Sequence, residues 1–175
     1  SCKKAVERIF GYTKGIGVLL GLPTSIEGSS CLYNSAVLIE DGKIVGQADK
    51  SILSNYDVLG EWRYFKPAKE QKCIKFRGMN LGINIGEDIA EELFDKQPDI
   101  LINISASAYY WGKQGQRLDT LTRIVNKYSV PFVYVNQVGG NDELVFDGSS
   151  MIFDSKGNLI IQAKSFEEDF IMFDT

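Results

Sequence analysis

Histidine is absent from this chain of 175 residues. Without an imidazole, the chain cannot build within itself a Ser-His-Asp triad, a Cys-His dyad or a His-ligated zinc site. Any hydrolytic chemistry in this sequence must therefore use a carboxylate, a lysine or a thiol.

Cysteine is scarce as well, because only Cys2, Cys31 and Cys73 are present, at wide spacing. An odd number of cysteines without a Cys-x-x-Cys pair fits neither a disulfide framework nor a metal-binding knuckle. We therefore expect reduced thiols and a cytoplasmic protein.

No apolar run has the length of a membrane span, and the first residues lack the pattern of a secretion signal, so we expect no membrane partner.

Blocks of basic residues are also missing, and 23 acidic residues outnumber 19 basic ones, which gives a net charge of -4. This balance argues against a nucleic-acid partner. With 44% hydrophobic residues, the chain has the length and composition of one folded domain with a substantial core. Disordered and collagen-like classes are thereby excluded.

The periodicity of the apolar residues predicts an α/β protein. Helices are expected over residues 1–10, 87–94 and 115–128, and single strands over residues 15–23, 72–76, 81–85, 100–104 and 132–137. Hairpins are expected to join residues 32–40 with 43–47, about Asp41-Gly42, and residues 150–154 with 158–163. Because the first helix starts at residue 1, we also expect further sequence upstream.

The order of these elements indicates how the strands pair. Hairpins form antiparallel pairs, whereas the strand-helix-strand run over residues 100–137 needs a crossover and indicates parallel pairing. We therefore expect a layered sandwich of two mixed sheets covered by helices, rather than a barrel or a doubly wound sheet.

A glycine-rich run, Gly15-x-Gly17-x-x-x-Gly21, has a superficial likeness to a dinucleotide-binding loop. Such a loop must open a helix whose N-terminus holds the phosphate, but this run continues as a strand into Pro23. The pattern therefore favours glycines within a packed, buried strand.

Ionisable and aromatic residues are concentrated in the irregular stretch at residues 50–65, which includes Lys50 and Glu61. Such stretches often line sites, although a lone lysine in a loop is more often solvated. A second candidate is the sharp strand-to-helix turn at Gly86, followed by Glu87 and Asp88. A nucleophile would be well placed at such a turn, but glycine has no side chain, and the two acidic residues could simply favour a helix start.

Two further stretches have both a functional and a structural interpretation. Ser107, Tyr110 and Lys113 follow the strand at residues 100–104, and the residues after such strands commonly face ligands in α/β folds. These side chains could equally have a structural role, in capping a helix or in packing. The acidic stretch at residues 141–148 could form the rim of a site or merely a solvated turn.

Taken together, these segments resemble the carbon–nitrogen hydrolase (nitrilase) superfamily, and within it the glutamine-hydrolysing domain of glutamine-dependent NAD synthetases. The matching runs lie at residues 32–37, 41–44, 50–56, 61–65, 86–88, 103–107, 112–113, 134–140, 142–148 and 165–169. They cover nearly the whole chain in one order, and the last three are specific to the synthetase branch.

The resemblance implies a nitrilase-like α-β-β-α sandwich with mixed sheets, of which residues 1–175 form a partial domain that lacks its N-terminal elements. It also implies Glu-Lys-Cys chemistry, in which a glutamate is the general base for a cysteine thiol that attacks an amide. Lys50 matches the lysine, Glu61 a second glutamate that orients the catalytic groups, and Gly86 the position of the nucleophile. The backbone N–H of Glu87 matches the second donor to the oxyanion.

The resemblance further implies that glutamine is the substrate and that the released ammonia serves NAD synthesis. Tyr56, Glu87, Ser107 and Lys113 match substrate-binding positions. No cofactor is expected in this domain, since ATP and Mg²⁺ would bind in a synthetase domain that is absent from this sequence. The family also implies that the chain associates with its own synthetase domain and forms a homo-oligomer.

Two departures from the family pattern concern the reaction itself. The nucleophile position holds Gly86 instead of cysteine, and the general-base glutamate would lie upstream, where Glu7, on a helix, cannot replace it. Cys73 is predicted on a neighbouring strand, and nothing places it at the turn. We therefore expect this chain to be inactive as written. The alternatives are a non-catalytic scaffold or regulatory domain of an ammonia-using synthetase, and a generic amidase.

Overall fold

Two β-sheets and a crossover helix form the framework in the computed structural model, which describes residues 2–25, 31–54, 60–90 and 94–174. In chain order the elements are α1 (Cys2–Phe10), β1 (Gly17–Ser25), β2 (Leu32–Glu40), β3 (Lys43–Asp49), β4 (Ile74–Phe76), β5 (Met79–Ile85), β6 (Ile100–Ser105), α2 (Lys113–Tyr128), β7 (Phe132–Asn136), β8 (Val138–Asn141), β9 (Leu144–Asp147), β10 (Met151–Phe153) and β11 (Leu159–Gln162).

The first sheet has three antiparallel strands in the order β1-β2-β3. The turn between β2 and β3 is the expected one, with Asp41 at φ 47° and Gly42 at φ 74°. Two successive positive φ values give the twist that a tight hairpin needs, which is why an Asp-Gly pair predicts it well.

The second sheet has six strands in the order β11-β10-β7-β6-β5-β4. Its central strands β5, β6 and β7 are parallel, and α2 provides the crossover from β6 to β7. Its outer strands pair antiparallel at both edges. The mixed sheet expected from the sequence is thereby confirmed.

Apolar side chains fill the space on both faces of the six-stranded sheet. On one face, residues of the first sheet pack against β4 and β5 in a buried cluster of Ala36, Leu38, Ala48, Ile74, Leu81, Ile83 and Ile85. On the other face, Leu121, Ile124 and Val125 of α2 pack against Phe132 and Phe153. Each fully buried Leu, Ile, Val or Phe side chain of these clusters contributes about 1.5–3 kcal/mol relative to its exposed state. The result is a sheet-sheet-helix sandwich.

Two predicted elements differ in the structure. Strand β1 is not buried but is half-exposed along its length, because within the described residues it pairs only with β2. Of the helix predicted over residues 87–94, residues 91–93 lie outside the described part of the chain, and the residues that are described do not form an α-helix. A 3-10 helix spans Gly86–Ala90, and Phe94 forms a β-bridge with Gln71. In the acidic stretch at residues 141–148, β8 and β9 form a hairpin whose turn, at Asp142 and Glu143, is exposed to solvent.

No helix within the described part of the chain is both long and apolar enough to span a membrane.

Candidate active site

A cleft of about 830 Å³ opens where β5 and β6 end. The carboxyl ends of parallel strands meet at one edge of a sheet, so the residues that follow them come together. Residues of β1, β2, β5, β6, β7 and α2 line this cleft, together with residues of the connections that follow β3, β5 and β6. They include Lys50, Glu61, Gly86, Glu87, Ser107, Lys113, Arg117 and Tyr134.

Lys50 and Glu61 form a buried ion pair in the cleft. Lys50 follows β3 directly and is only 6% exposed, and its Nζ lies 2.5 Å from Oε2 of Glu61. Glu61 also accepts hydrogen bonds from the Ser54 backbone N–H at 2.7 Å and from Nδ2 of Asn34 at 2.7 Å. Burial acts to raise the pKa of Glu61, but the hydrogen bonds from Lys50, Ser54 and Asn34 outweigh it, so the pKa lies below its ordinary value. Glu61 is therefore a carboxylate that fixes the lysine amine.

Gly86 is the sharp turn that follows β5, and it adopts a left-handed φ of 54°. A Cβ atom built on this residue would lie 3.7 Å from Nζ of Lys50 and meet no closer atom. The carbonyl of Gly86 accepts a hydrogen bond from Nδ2 of buried Asn103 at 3.1 Å. A side chain at position 86 would therefore enter the cleft beside the Lys50 amine.

Asp88 connects this turn to the segment that follows Lys50. Its buried carboxylate accepts the backbone N–H groups of Ser51 at 2.9 Å and Ile52 at 2.6 Å. Burial is the largest influence and raises the pKa of Asp88 despite these hydrogen bonds. The sequence suggested that Asp88 serves the helix start, whereas its carboxylate bonds to a different segment and holds Lys50 close to the turn.

The predicted substrate contacts come to the same cleft, apart from Tyr56, which lies outside the described residues. Glu87 is exposed, and its Oε2 accepts a hydrogen bond from the Ser54 hydroxyl at 3.3 Å. Lys113 is the first residue of α2, and its Nζ lies 5.0 Å from the centre of the Tyr110 ring. The cleft therefore presents an anionic and a cationic side chain as well as the buried pair.

Sequence reasoning missed a second buried ion pair, at the wall of the cleft. Arg117 is 5% exposed, and its guanidinium donates to both oxygens of Asp147, at 2.8 and 3.0 Å. Burial acts to raise the pKa of Asp147, but the bonds from Arg117 and Gln114 hold it below its ordinary value. The acidic stretch is thus neither a rim nor a solvated turn at this position. The sequence of β9, Leu-Val-Phe-Asp, does not signal this pair, because apolar and polar residues do not alternate there.

The other two groups considered as catalytic are not at this site. Cys73 precedes β4, where its thiol donates to the carbonyl of Lys96 at 3.4 Å, and burial raises its pKa. Neither Cys73 nor Glu7, on α1, lines the cleft. Within the described ranges, His, Cys, Asp and Glu side chains nowhere gather in threes as metal ligation would require.

Comparison with known proteins agrees with this geometry. The model of the carbon-nitrogen hydrolase family matches residues 12–174. The chain belongs to that family. It is 37% identical over 179 residues to the glutamine-dependent NAD(+) synthetase of Thermotoga maritima, covering 98% of this chain and 31% of the relative. The corresponding protein of Acinetobacter baylyi is 39% identical over 142 residues, covering 78% and 26%.

Solved structures of the family show the same fold. The glutamine-dependent NAD+ synthetase of Acinetobacter baumannii superimposes with a TM-score of 0.83 at 31% identity, covering 96% of this chain and 32% of that one. A carbon-nitrogen hydrolase from Helicobacter pylori G27 gives a TM-score of 0.84 at 21% identity, covering 95% and 65%. The nitrilase-like sandwich is therefore confirmed. The present chain spans about a third of the length of the curated relatives it matches.

Proposed function

We propose that this chain is the glutamine-binding, amide-hydrolysing domain of a glutamine-dependent NAD synthetase, with its nucleophile replaced by glycine. The observation that carries the proposal is the buried Lys50 amine, which faces the position of a side chain at residue 86. The similarity to synthetases over nearly the whole chain supports the same assignment.

In a form with cysteine at position 86, the thiolate sulfur would attack the side-chain amide carbonyl of glutamine, and the thiol proton would pass to the general-base glutamate. The oxygen of the resulting tetrahedral adduct carries negative charge. The Lys50 ammonium and the Glu87 backbone N–H are proposed to stabilise it. Collapse of the adduct breaks the carbon–nitrogen bond, and the amide nitrogen leaves as ammonia with the transferred proton. Water then hydrolyses the thioester to glutamate.

The charges of the cleft fit the zwitterionic end of glutamine. The Glu87 carboxylate would attract the substrate ammonium group, and the Lys113 ammonium would attract the substrate carboxylate. Ser107 lines the same cleft as Lys113. We infer that Ser107, Lys113 and Glu87 orient the substrate so that its amide reaches residue 86, and we assign Tyr56 to the same task from its position in the family motif.

Because glycine has no side chain, the chain is proposed to bind glutamine without cleaving it. The chemistry that remains at residue 86 is limited to the backbone, and Lys50 has no adjacent sulfur to assist. Within the whole protein we propose that a synthetase domain binds ATP and Mg²⁺, that this domain needs no cofactor of its own, and that the assembly is a cytoplasmic homo-oligomer.

A second candidate function follows from the same glycine. A domain without its nucleophile could serve as a scaffold or regulator of a synthetase that uses free ammonia. Both candidates predict that the glycine form makes NAD with ammonium but not with glutamine, so they differ in whether the domain binds glutamine. Saturable glutamine binding to the whole protein favours the main proposal, whereas NAD formation from ammonium without any glutamine binding favours the scaffold.

Direct binding of glutamine tests the main proposal. Isothermal titration of the whole protein with glutamine is expected to give saturable binding that weakens when Lys113→Ala removes the cation. Lys72→Ala is the matched control, because Lys72 is 63% exposed and pairs with Glu70 outside the cleft. Absence of any glutamine binding to the unaltered protein would refute the proposed substrate.

A further inference from the structure

Asp147 lies at the centre of a hydrogen-bonded network beside the cleft. Its carboxylate is completely buried, and besides Arg117 it accepts from Nε2 of Gln114 at 3.2 Å and from Nδ2 of Asn136 at 3.3 Å. These partners belong to α2 and to β7, while Asp147 itself ends β9. One carboxylate therefore joins three elements that meet at the wall of the cleft.

One branch of this network reaches Ser107. The side chain of Asn136 donates to Asp147 through Nδ2, and its Oδ1 accepts the backbone N–H of Ser107 at 2.9 Å. The same Nδ2 donates to the carbonyl of Gly148 at 3.0 Å, and Asn136 is only 7% exposed. Because a buried amide in this arrangement has little freedom, the position of Ser107 follows that of Asp147.

The other branch reaches Lys113. Arg117 is four residues after Lys113 in α2, so both side chains lie on the same face of the helix, one turn apart. The double hydrogen bond from Arg117 to Asp147 fixes the helix in position and in rotation about its axis. The guanidinium also lies 5.5 Å from the centre of the Tyr134 ring, which lines the cleft. The placement of Lys113 thus depends on the same carboxylate.

We propose that Asp147, acting through Asn136 and Arg117, is a positioning residue that sets the spacing of Ser107 and Lys113 and thereby selects amide substrates that carry a carboxylate. This inference rests on the proposed function, because it takes Ser107 and Lys113 as the groups that meet the substrate carboxylate. Asp147 does not itself touch the substrate. Its charge is neutralised by Arg117, which leaves the Lys113 cation to attract the anionic end of the ligand.

The glycine at position 86 permits a clean test, because bound glutamine would persist long enough for equilibrium titration. We would compare glutamine with 4-aminobutanamide, which is glutamine without its carboxylate, on the whole protein and its variants. In Asn136→Leu the Kd of glutamine is expected to rise by at least about tenfold, whereas the Kd of 4-aminobutanamide should change less than about twofold. A purely structural defect would weaken both ligands equally.

Asp147→Asn serves as a second variant of nearly unchanged size, in case Asn136→Leu does not fold, and the same selective loss is expected. Gln114→Leu is the matched control, since it removes a hydrogen bond to Asp147 without cutting either branch, and it should keep the preference for glutamine. If folded Asn136→Leu or Asp147→Asn bound both ligands more weakly by the same factor, or kept the parent's preference for glutamine, this inference would be overturned. The proposed function would still stand. Failure of the unaltered protein to bind glutamine would overturn the proposed function and the inference together.

Discussion

A Cβ atom on Gly86 would lie 3.7 Å from the Nζ of Lys50, an amine that is itself held 2.5 Å from Glu61. The elements that produce this relationship are distant in sequence. Lys50 follows β3 of one sheet, and Gly86 follows β5 of the other. The packing of the two sheets therefore determines whether the amine can act on chemistry at residue 86.

The role of Lys50 can be tested in a Gly86→Cys form of the whole protein. Lys50→Ala in that background is expected to lower kcat by about 100- to 1,000-fold, because the lysine acts on charge that develops in the transition state. The Kd of glutamine should change little. Steady-state ammonia release and glutamine titration measure the two quantities, with Lys72→Ala as the control. A loss confined to affinity would show that Lys50 is a binding group.

Because of the Lys50–Glu61 pair, the free energy of unfolding should fall as the pH is lowered into the acid range. Since the folded pKa of Glu61 lies below its ordinary value of 4.5, the charged pair stabilises the fold above pH 4.5, and this contribution is lost as the pH falls through the folded pKa. Glu61→Gln should therefore lower the free energy of unfolding by roughly 1–3 kcal/mol at pH 7, with a smaller difference in acid.

Urea unfolding of both proteins from pH 7 to pH 3 measures this dependence. Glu70→Gln is the control, because Glu70 is 67% exposed and pairs with an exposed lysine. A difference between the parent and Glu61→Gln that grows on acidification would contradict the proposed state of the pair.

The buried pair of Arg117 and Asp147 should be much more important for stability than an exposed one. Arg117→Met leaves a buried carboxylate without its cation and is expected to lower the free energy of unfolding by about 3–5 kcal/mol. Arg77→Met, which breaks the exposed contact with Glu40, should lower it by less than about 1 kcal/mol. Thermal or urea unfolding compares the two, and equal losses would argue against a buried pair.

Glycine at position 46 is expected to be required by the packing of the two sheets. A Cβ atom on Gly46 of β3 would overlap the Cγ2 of Ile74 in β4. Gly46→Ala should therefore destabilise the fold by about 1–3 kcal/mol, the usual effect of overpacking. Gly115→Ala in α2, where no atom crowds the added methyl group, should instead stabilise it by roughly 0.5–1 kcal/mol. A neutral Gly46→Ala would mean that the sheets are not in contact there.

Much of the fold could be predicted from the sequence because its signals are local. The Asp41-Gly42 turn and the apolar face of α2 are properties of a few neighbouring residues, and both were correctly predicted. Strand β1 was mispredicted as buried, since an apolar run does not reveal how many neighbours a strand has. The 3-10 helix at Gly86–Ala90 was likewise missed, because Asp88 is held by long-range hydrogen bonds to Ser51 and Ile52.

For the candidate site too, some residues could be predicted from the sequence and others could not. The family motif in the sequence identifies Lys50, Glu61 and Gly86, and the structure brings them together, while their catalytic roles stay predictions. The Arg117–Asp147 pair could not be predicted, because the partners are 30 residues apart and each type is usually exposed. Only the crossover of α2 and the hairpin β8–β9 bring them into contact.

Ammonia release from glutamine is the measurement that tests the central claim most directly. It should be followed in the whole protein with glycine at position 86, in Gly86→Cys and in Gly86→Ala, which adds a side chain at the left-handed turn without a thiol. The account predicts release only by the cysteine form, together with a glutamyl mass increase on that protein. Comparable release by the glycine form would contradict it, because the nucleophile would then have to lie elsewhere.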